Sequence, residues 1–142
     1  MFNVYGRKGT FKTNAQLTYT EERGMAWFLE KRSSKTPLVC TETNLRKYED
    51  YYFGYGIGTP RGNWLRCEIP SHFGYVENET IAKTFRNRSL YIFISDCNIK
   101  TSSIFPESTG IPQYLEEDFK NLQMDPTVIK IYGNEGCEIW KT

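Results

Sequence analysis

At 142 residues the chain is long enough for one domain with a real core, and its 39% hydrophobic and 15% aromatic content excludes disorder. A formal net charge of +1 argues against a dedicated duplex-DNA binder, which needs a stronger basic excess. That small sum hides an asymmetry, because residues 1–105 carry 15 basic and 10 acidic side chains whereas residues 106–142 carry 3 and 7.

In chain order, Phe2 to Tyr5 reads as a short strand. Gly6 to Gly9 is a turn, and Thr10 to Lys12 and Ala15 to Tyr19 are further strand candidates. Thr18-x-x-Glu21 is a capping box, with Thr20 as the alternative cap, for a helix running to about Arg32. Met25, Phe28, Leu29 and Arg32 form its inward stripe, Trp27 lies off it, and Gly24 weakens the first turn by about 1 kcal/mol. Leu38-Val39-Cys40 is a short buried strand, and Thr43 to Glu49 a helical turn.

The stretch from Tyr48 to Arg66 is the densest run of aromatics and glycines. Tyr51, Phe53, Tyr55 and Ile57 alternate with Tyr52, Gly54, Gly56 and Gly58, which is the period of a β-strand. Gly58 to Gly62 is a turn, with Pro60 pre-setting its φ, and Asn63 to Ile69 is the returning strand. The expectation is a hairpin whose rings either fill the core or form a stacking platform beside Arg61 and Arg66. The glycines are not a dinucleotide loop, because they lead into Thr59-Pro60 and a strand instead of a helix.

Pro70 to Tyr75 is irregular. Glu77 to Asn87 reads as a helix with Ile81, Ala82 and Phe85 inward and Lys83 and Arg86 outward. Leu90 to Ile94 is apolar on both faces and suits a central strand. Asp96 to Gly110 is a loop, either a mobile flap or a boundary before a helix–hairpin unit at 111–142. Ile111-Pro112 opens the next helix, with Leu115, Phe119 and Leu122 as its stripe and Glu116, Glu117 and Asp118 near its positive end. Asp125-Pro126 ends that helix. A hairpin of Thr127 to Tyr132 and Cys137 to Trp140 closes the chain, with Lys130 and Glu138 paired across it. The fold class expected is α+β: a mainly antiparallel sheet of hairpins with about three helices packed on one face, in a single domain over 1–142.

Cys40, Cys67, Cys97 and Cys137 form no Cys-x-x-Cys pair, and His72 is the only histidine, so no metal site or cofactor is expected. The N-terminal residues are too polar for a secretory leader and no run reaches membrane-spanning length, so an intracellular, cytoplasmic protein is expected.

The leading functional expectation is a small, non-enzymatic binding or inhibitor protein, of the kind a virus or mobile element uses. It would occupy a partner protein, nucleic acid or nucleotide through Tyr52, Tyr55, Arg61, Trp64 and Arg66, with Arg86 and Arg88 as a second cationic edge. The alternative is metal-independent ribonuclease chemistry. Glu68, His72 and Arg66 lie close in sequence and could supply a base, an acid and a cation for the phosphorane charge. A third reading is a structural subunit that packs on copies of itself.

Overall fold

The structure is a computed structural model, and it describes residues 18–33, 35–40, 69–96 and 113–142. The hairpin expected over residues 48–66 lies outside the described residues, with Tyr52, Tyr55, Arg61, Trp64 and Arg66, and so does Glu68. The strands expected before Thr18, the helical turn expected at 43–49 and the loop expected after Asp96 lie outside them too.

Helix α1, Tyr19–Lys31, starts where its cap predicts. Thr18 Oγ1 accepts the Glu21 amide at 3.3 Å, and Glu21 Oε2 accepts the Thr18 amide at 3.0 Å. Two otherwise orphaned amides are thereby satisfied. Tyr19 is therefore helical and does not end a strand. Met25 and Phe28 are fully buried, and Trp27 stacks at 4.9 Å on Tyr132.

The sheet has four strands: β1 (Leu38–Cys40), β2 (Tyr91–Ser95), β3 (Ile129–Gly133) and β4 (Cys137–Lys141). Their order is β1-β2-β4-β3. β1 runs parallel to β2, and the other two pairings are antiparallel, with a register shift between Lys130 and Tyr132. Lys130 Nζ donates to Glu138 Oε1 at 2.7 Å across the hairpin, as the sequence suggests.

Every residue of β2 is buried. Successive strand side chains point to opposite faces, so both faces must be covered. Tyr91 and Phe93 pack with Leu38, Ile139 and Cys137 against Met25 and Phe28 of α1. Ile92 and Ile94 pack with Val39 and Trp140 against Phe73, Ile81, Phe85 and Leu122. The α+β class and the mainly antiparallel sheet are present, with three α-helices among the described residues. The helices divide between the two faces: α1 lies on one, and α2 (Ile81–Thr84) and α3 (Glu116–Met124) on the other.

Two helices are shorter than the sequence suggests. α2 covers four residues of the expected Glu77–Asn87 span. Thr80 caps it, accepting the Lys83 amide at 3.3 Å, and Arg86 and Asn87 end it with φ of 53° and 57°. α3 begins at Glu116, because Leu115 sits outside with extended backbone as the N-cap. Leu115 is consequently exposed and leaves the inner stripe to Phe119 and Leu122.

Gly24 marks a close approach of α1 to β4. A Cβ there would fall on Cys137 Sγ, with the Tyr132 ring 3.4 Å away. The residue that costs α1 helix propensity is the one that lets it seat on β4. Burial, helped by the charges of Glu21 and Glu138, pushes the Cys137 thiol up to about 12. Gly24→Ala is expected to destabilise the fold by about 1–3 kcal/mol in urea denaturation, overriding its propensity gain. Adding Cys137→Ala should recover part of that loss, because it removes the sulfur the methyl meets.

Candidate functional site

The described candidate residues lie on one stretch, 71–88, which α3 holds in place. Ser71 to Gly74 forms a tight 3₁₀ turn in the left-handed region, with φ of 56° at His72, 52° at Phe73 and 79° at Gly74. L-residues resist this conformation by about 1–2 kcal/mol each. Gly74 accepts it freely, and a Cβ there would sit 2.6 Å from the Thr84 side chain. His72 and Phe73 need compensation. Phe73 has it in full burial, with its ring 4.8 Å from Tyr114, 5.7 Å from Phe119 and 6.3 Å from Tyr75. Burying a phenylalanine is worth about 1.5–3 kcal/mol, and each good ring pair adds about 0.5–1.5 kcal/mol, so packing outweighs the strain.

His72 is held at both backbone and ring. Its amide donates to the Gln113 carbonyl at 2.7 Å, while the Gln113 amide donates to Ser71 Oγ at 3.0 Å. Its Nδ1 lies 2.8 Å from Asp118 Oδ2. The same oxygen accepts the Leu115 amide at 2.6 Å and so caps α3. The Asp118 side chain is 8% exposed and that of His72 is 22% exposed. Nε2 meets no hydrogen-bond partner among the described residues.

Asp118 was not legible as a partner. The run Glu116-Glu117-Asp118 reads as favourable charge at a helix start. The structure separates the three: Glu116 pairs with Lys120 at 2.8 Å, Glu117 is exposed, and Asp118 turns inward to a histidine 46 residues earlier. The third position of the helix was the available signal, since a carboxylate there reaches back to the cap amide.

Seven residues on, Asp125 forms the second tether. Its Oδ2 accepts the Ile81 amide at 2.6 Å and the Tyr75 hydroxyl at 3.0 Å. Its Oδ1 accepts the Thr127 amide at 2.8 Å and the Thr127 hydroxyl at 2.6 Å. Burial works to raise the Asp125 carboxyl, but these hydrogen bonds together outweigh it and hold the group below its ordinary range. Burial first, then the bond to Asp125, pushes the Tyr75 phenol far above its ordinary value.

Beyond this tether the chain presents a cationic edge. Lys83, Arg86 and Arg88 are all exposed. Lys83 Nζ is 2.7 Å from Glu79, whereas neither arginine makes an ion pair among the described residues. The left-handed turn is closed by Asn87 N–H donating to Ala82 O at 2.7 Å and Arg88 N–H to Phe85 O at 3.1 Å. The Arg88 carbonyl accepts the Thr142 hydroxyl at 2.9 Å, which fixes this edge at the mouth of β2.

Of the sequence-derived site, then, Arg86 and Arg88 share one exposed turn and His72 sits in the preceding turn. Arg66 and Glu68, expected beside His72, lie outside the described residues. Among the described residues no group of three His, Cys, Asp or Glu side chains could hold a metal ion, and no helix is long and apolar enough to cross a membrane. Comparison with protein-family models, with curated proteins and with solved structures finds no match.

Asp125→Asn is expected to cost about 1–3 kcal/mol at neutral pH by weakening a buried, charge-assisted set of bonds. A carboxyl lowered by folding stabilises the fold above its unfolded pKa, about 4, and loses that contribution as pH falls through its folded value. The stability gap between wild type and Asp125→Asn, measured by urea denaturation, should therefore close as pH falls below about 4.

Proposed function

We propose that this protein acts by binding: it occupies an anionic partner, a single-stranded nucleic acid or a nucleotide, through the exposed Arg86–Arg88 edge. The observation that carries this reading is the left-handed turn itself. It holds Arg86 and Arg88 outward, unneutralised by any described carboxylate, on a segment pinned by two buried tethers. Arginine guanidinium matches phosphate geometry and also stacks on bases. The aromatic–arginine stretch with Tyr52, Tyr55, Arg61, Trp64 and Arg66 carries rings of the kind on which bases stack, and on the sequence it belongs to the same proposal.

A second reading is metal-independent RNA cleavage through His72. It is favoured by one observation, the 2.8 Å contact from Nδ1 to the buried Asp118 carboxylate, which orients the ring and leaves Nε2 for chemistry. Arg66 and Glu68 remain its proposed cation and second acid–base group.

The readings separate in one pair of experiments. Fluorescence anisotropy with a labelled single-stranded oligonucleotide should show weaker binding for Arg86→Gln/Arg88→Gln. The slope of log affinity against log salt should be shallower by about 1.4, since each lost phosphate contact on a single strand removes about 0.7. Unchanged affinity and slope would refute the cationic edge. His72→Ala should leave this binding intact, and under the second reading it should slow cleavage of an oligoribonucleotide by about 10²–10⁴-fold.

A further inference from the structure

We infer that Asp118 holds the neutral imidazole of His72 as its Nδ1–H tautomer and thereby makes Nε2 a proton-accepting site for a hydroxyl group. Asp118 Oδ2 fixes the proton's place. That oxygen already accepts the Leu115 amide at 2.6 Å, and an ionised carboxylate can only accept, so Nδ1 at 2.8 Å must be the donor. A neutral imidazole carries one proton. With that proton on Nδ1, the lone pair resides on Nε2. Free histidine in water prefers the opposite tautomer, so the assignment is imposed by the fold.

Three further features make the ring a positioned group and not a chance surface contact. The carboxylate is nearly excluded from solvent, which strengthens its grip on the ring. The His72 backbone is fixed through Gln113 and lies in a left-handed turn held by the buried Phe73. Nε2 has no hydrogen-bond partner among the described residues, on a side chain that keeps 22% of its surface exposed. Of the charged groups of the described residues, Asp118 touches the ring, and Asp125 lies beyond Tyr75, whose hydroxyl it binds.

The hydroxyl is identified through the cleavage reading, on which this part of the inference rests: it is the ribose 2′-hydroxyl. Its proton passes to Nε2, its oxygen bonds to phosphorus, and the bond from phosphorus to the 5′-oxygen breaks. The 5′-oxygen takes a proton from solvent, the imidazolium returns one to solvent, and a 2′,3′-cyclic phosphate remains. In this sequence His72 is the catalytic residue and Asp118 a positioning residue, which stabilises the imidazolium as it forms.

One histidine in 142 residues makes the test unambiguous, because tag-free protein gives a single set of imidazole signals. Long-range ¹H–¹⁵N correlation spectra, recorded at a pH where the ring is neutral, should show Nδ1 in the protonated, pyrrole-like region and Nε2 in the unprotonated, pyridine-like region. Asp118→Ala should reverse the pattern. A wild-type spectrum with the proton on Nε2 overturns the inference whether or not the variant folds. In parallel, an oligoribonucleotide is incubated with wild type and Asp118→Ala. A lower kcat with unchanged KM in the variant supports the positioning of His72. The Nδ1–H pattern without any cleavage by wild type upholds the tautomer and overturns the cleavage reading and, with it, the ribose hydroxyl as the ligand.

Discussion

Asp118 in the first turn of α3 and Asp125 at its C-cap lie seven residues apart, and both are buried. A buried carboxylate is costly unless its oxygens are satisfied. Beside the local donors Leu115 and Thr127, the partners come from one distant stretch of chain: the ring of His72, the hydroxyl of Tyr75 and the first amide of α2. Asp125 stands at the negative end of α3, where the helix dipole opposes its charge. Four hydrogen bonds from three residues offset that opposition and the cost of burial. The consequence is mechanical. Residues 72–81 are fixed to α3 at both ends, so the left-handed turn at His72-Phe73-Gly74 and the short helix beyond it have one position each.

That arrangement follows from β2. A strand buried along its whole length needs a layer on each side, and α1 supplies one of them. The other layer is assembled from short pieces: a 3₁₀ turn, a single-turn helix and α3. Short pieces bury little surface individually and have weak intrinsic preference for their conformation. Polar tethers between them, with Phe73 and its ring neighbours packed beneath, do what a long helix achieves by length. The same construction brings the exposed arginine turn to the start of β2, where Thr142 and Leu90 hold the backbone.

How much of this the sequence discloses depends on how local each signal is. α1 is legible to within a residue because its cap, its stripe and its end all lie inside 15 positions. β2 is legible because an apolar run with no polar face has only the centre of a sheet to occupy. The hairpin of β3 and β4, with its Lys130–Glu138 pair, is legible for the same local reason. The expected helix at 77–87 overshoots because apolar spacing says nothing about Thr80 capping three residues later or about Arg86 accepting positive φ. The expected start of α3 at Ile111-Pro112 is too early because Asp118, not the proline, defines the cap. The His72–Asp118 pair is not legible in the sequence, since 46 residues separate its members and neither sits in a motif. From the sequence Gly24 is a weakness of α1; only the position of Cys137 gives its reason.

A tethered segment carries an exposed pair of arginines, and the proposed use of that combination is to hold an anionic chain. The most direct measurement is a titration of ¹⁵N-labelled protein with a short single-stranded oligonucleotide, followed residue by residue in amide spectra. The account predicts saturable shifts concentrated on Lys83 to Arg88 and on the 48–66 stretch, with α1 unmoved. No shifts at all, or shifts confined to α1 and the exposed strand β3, would contradict it.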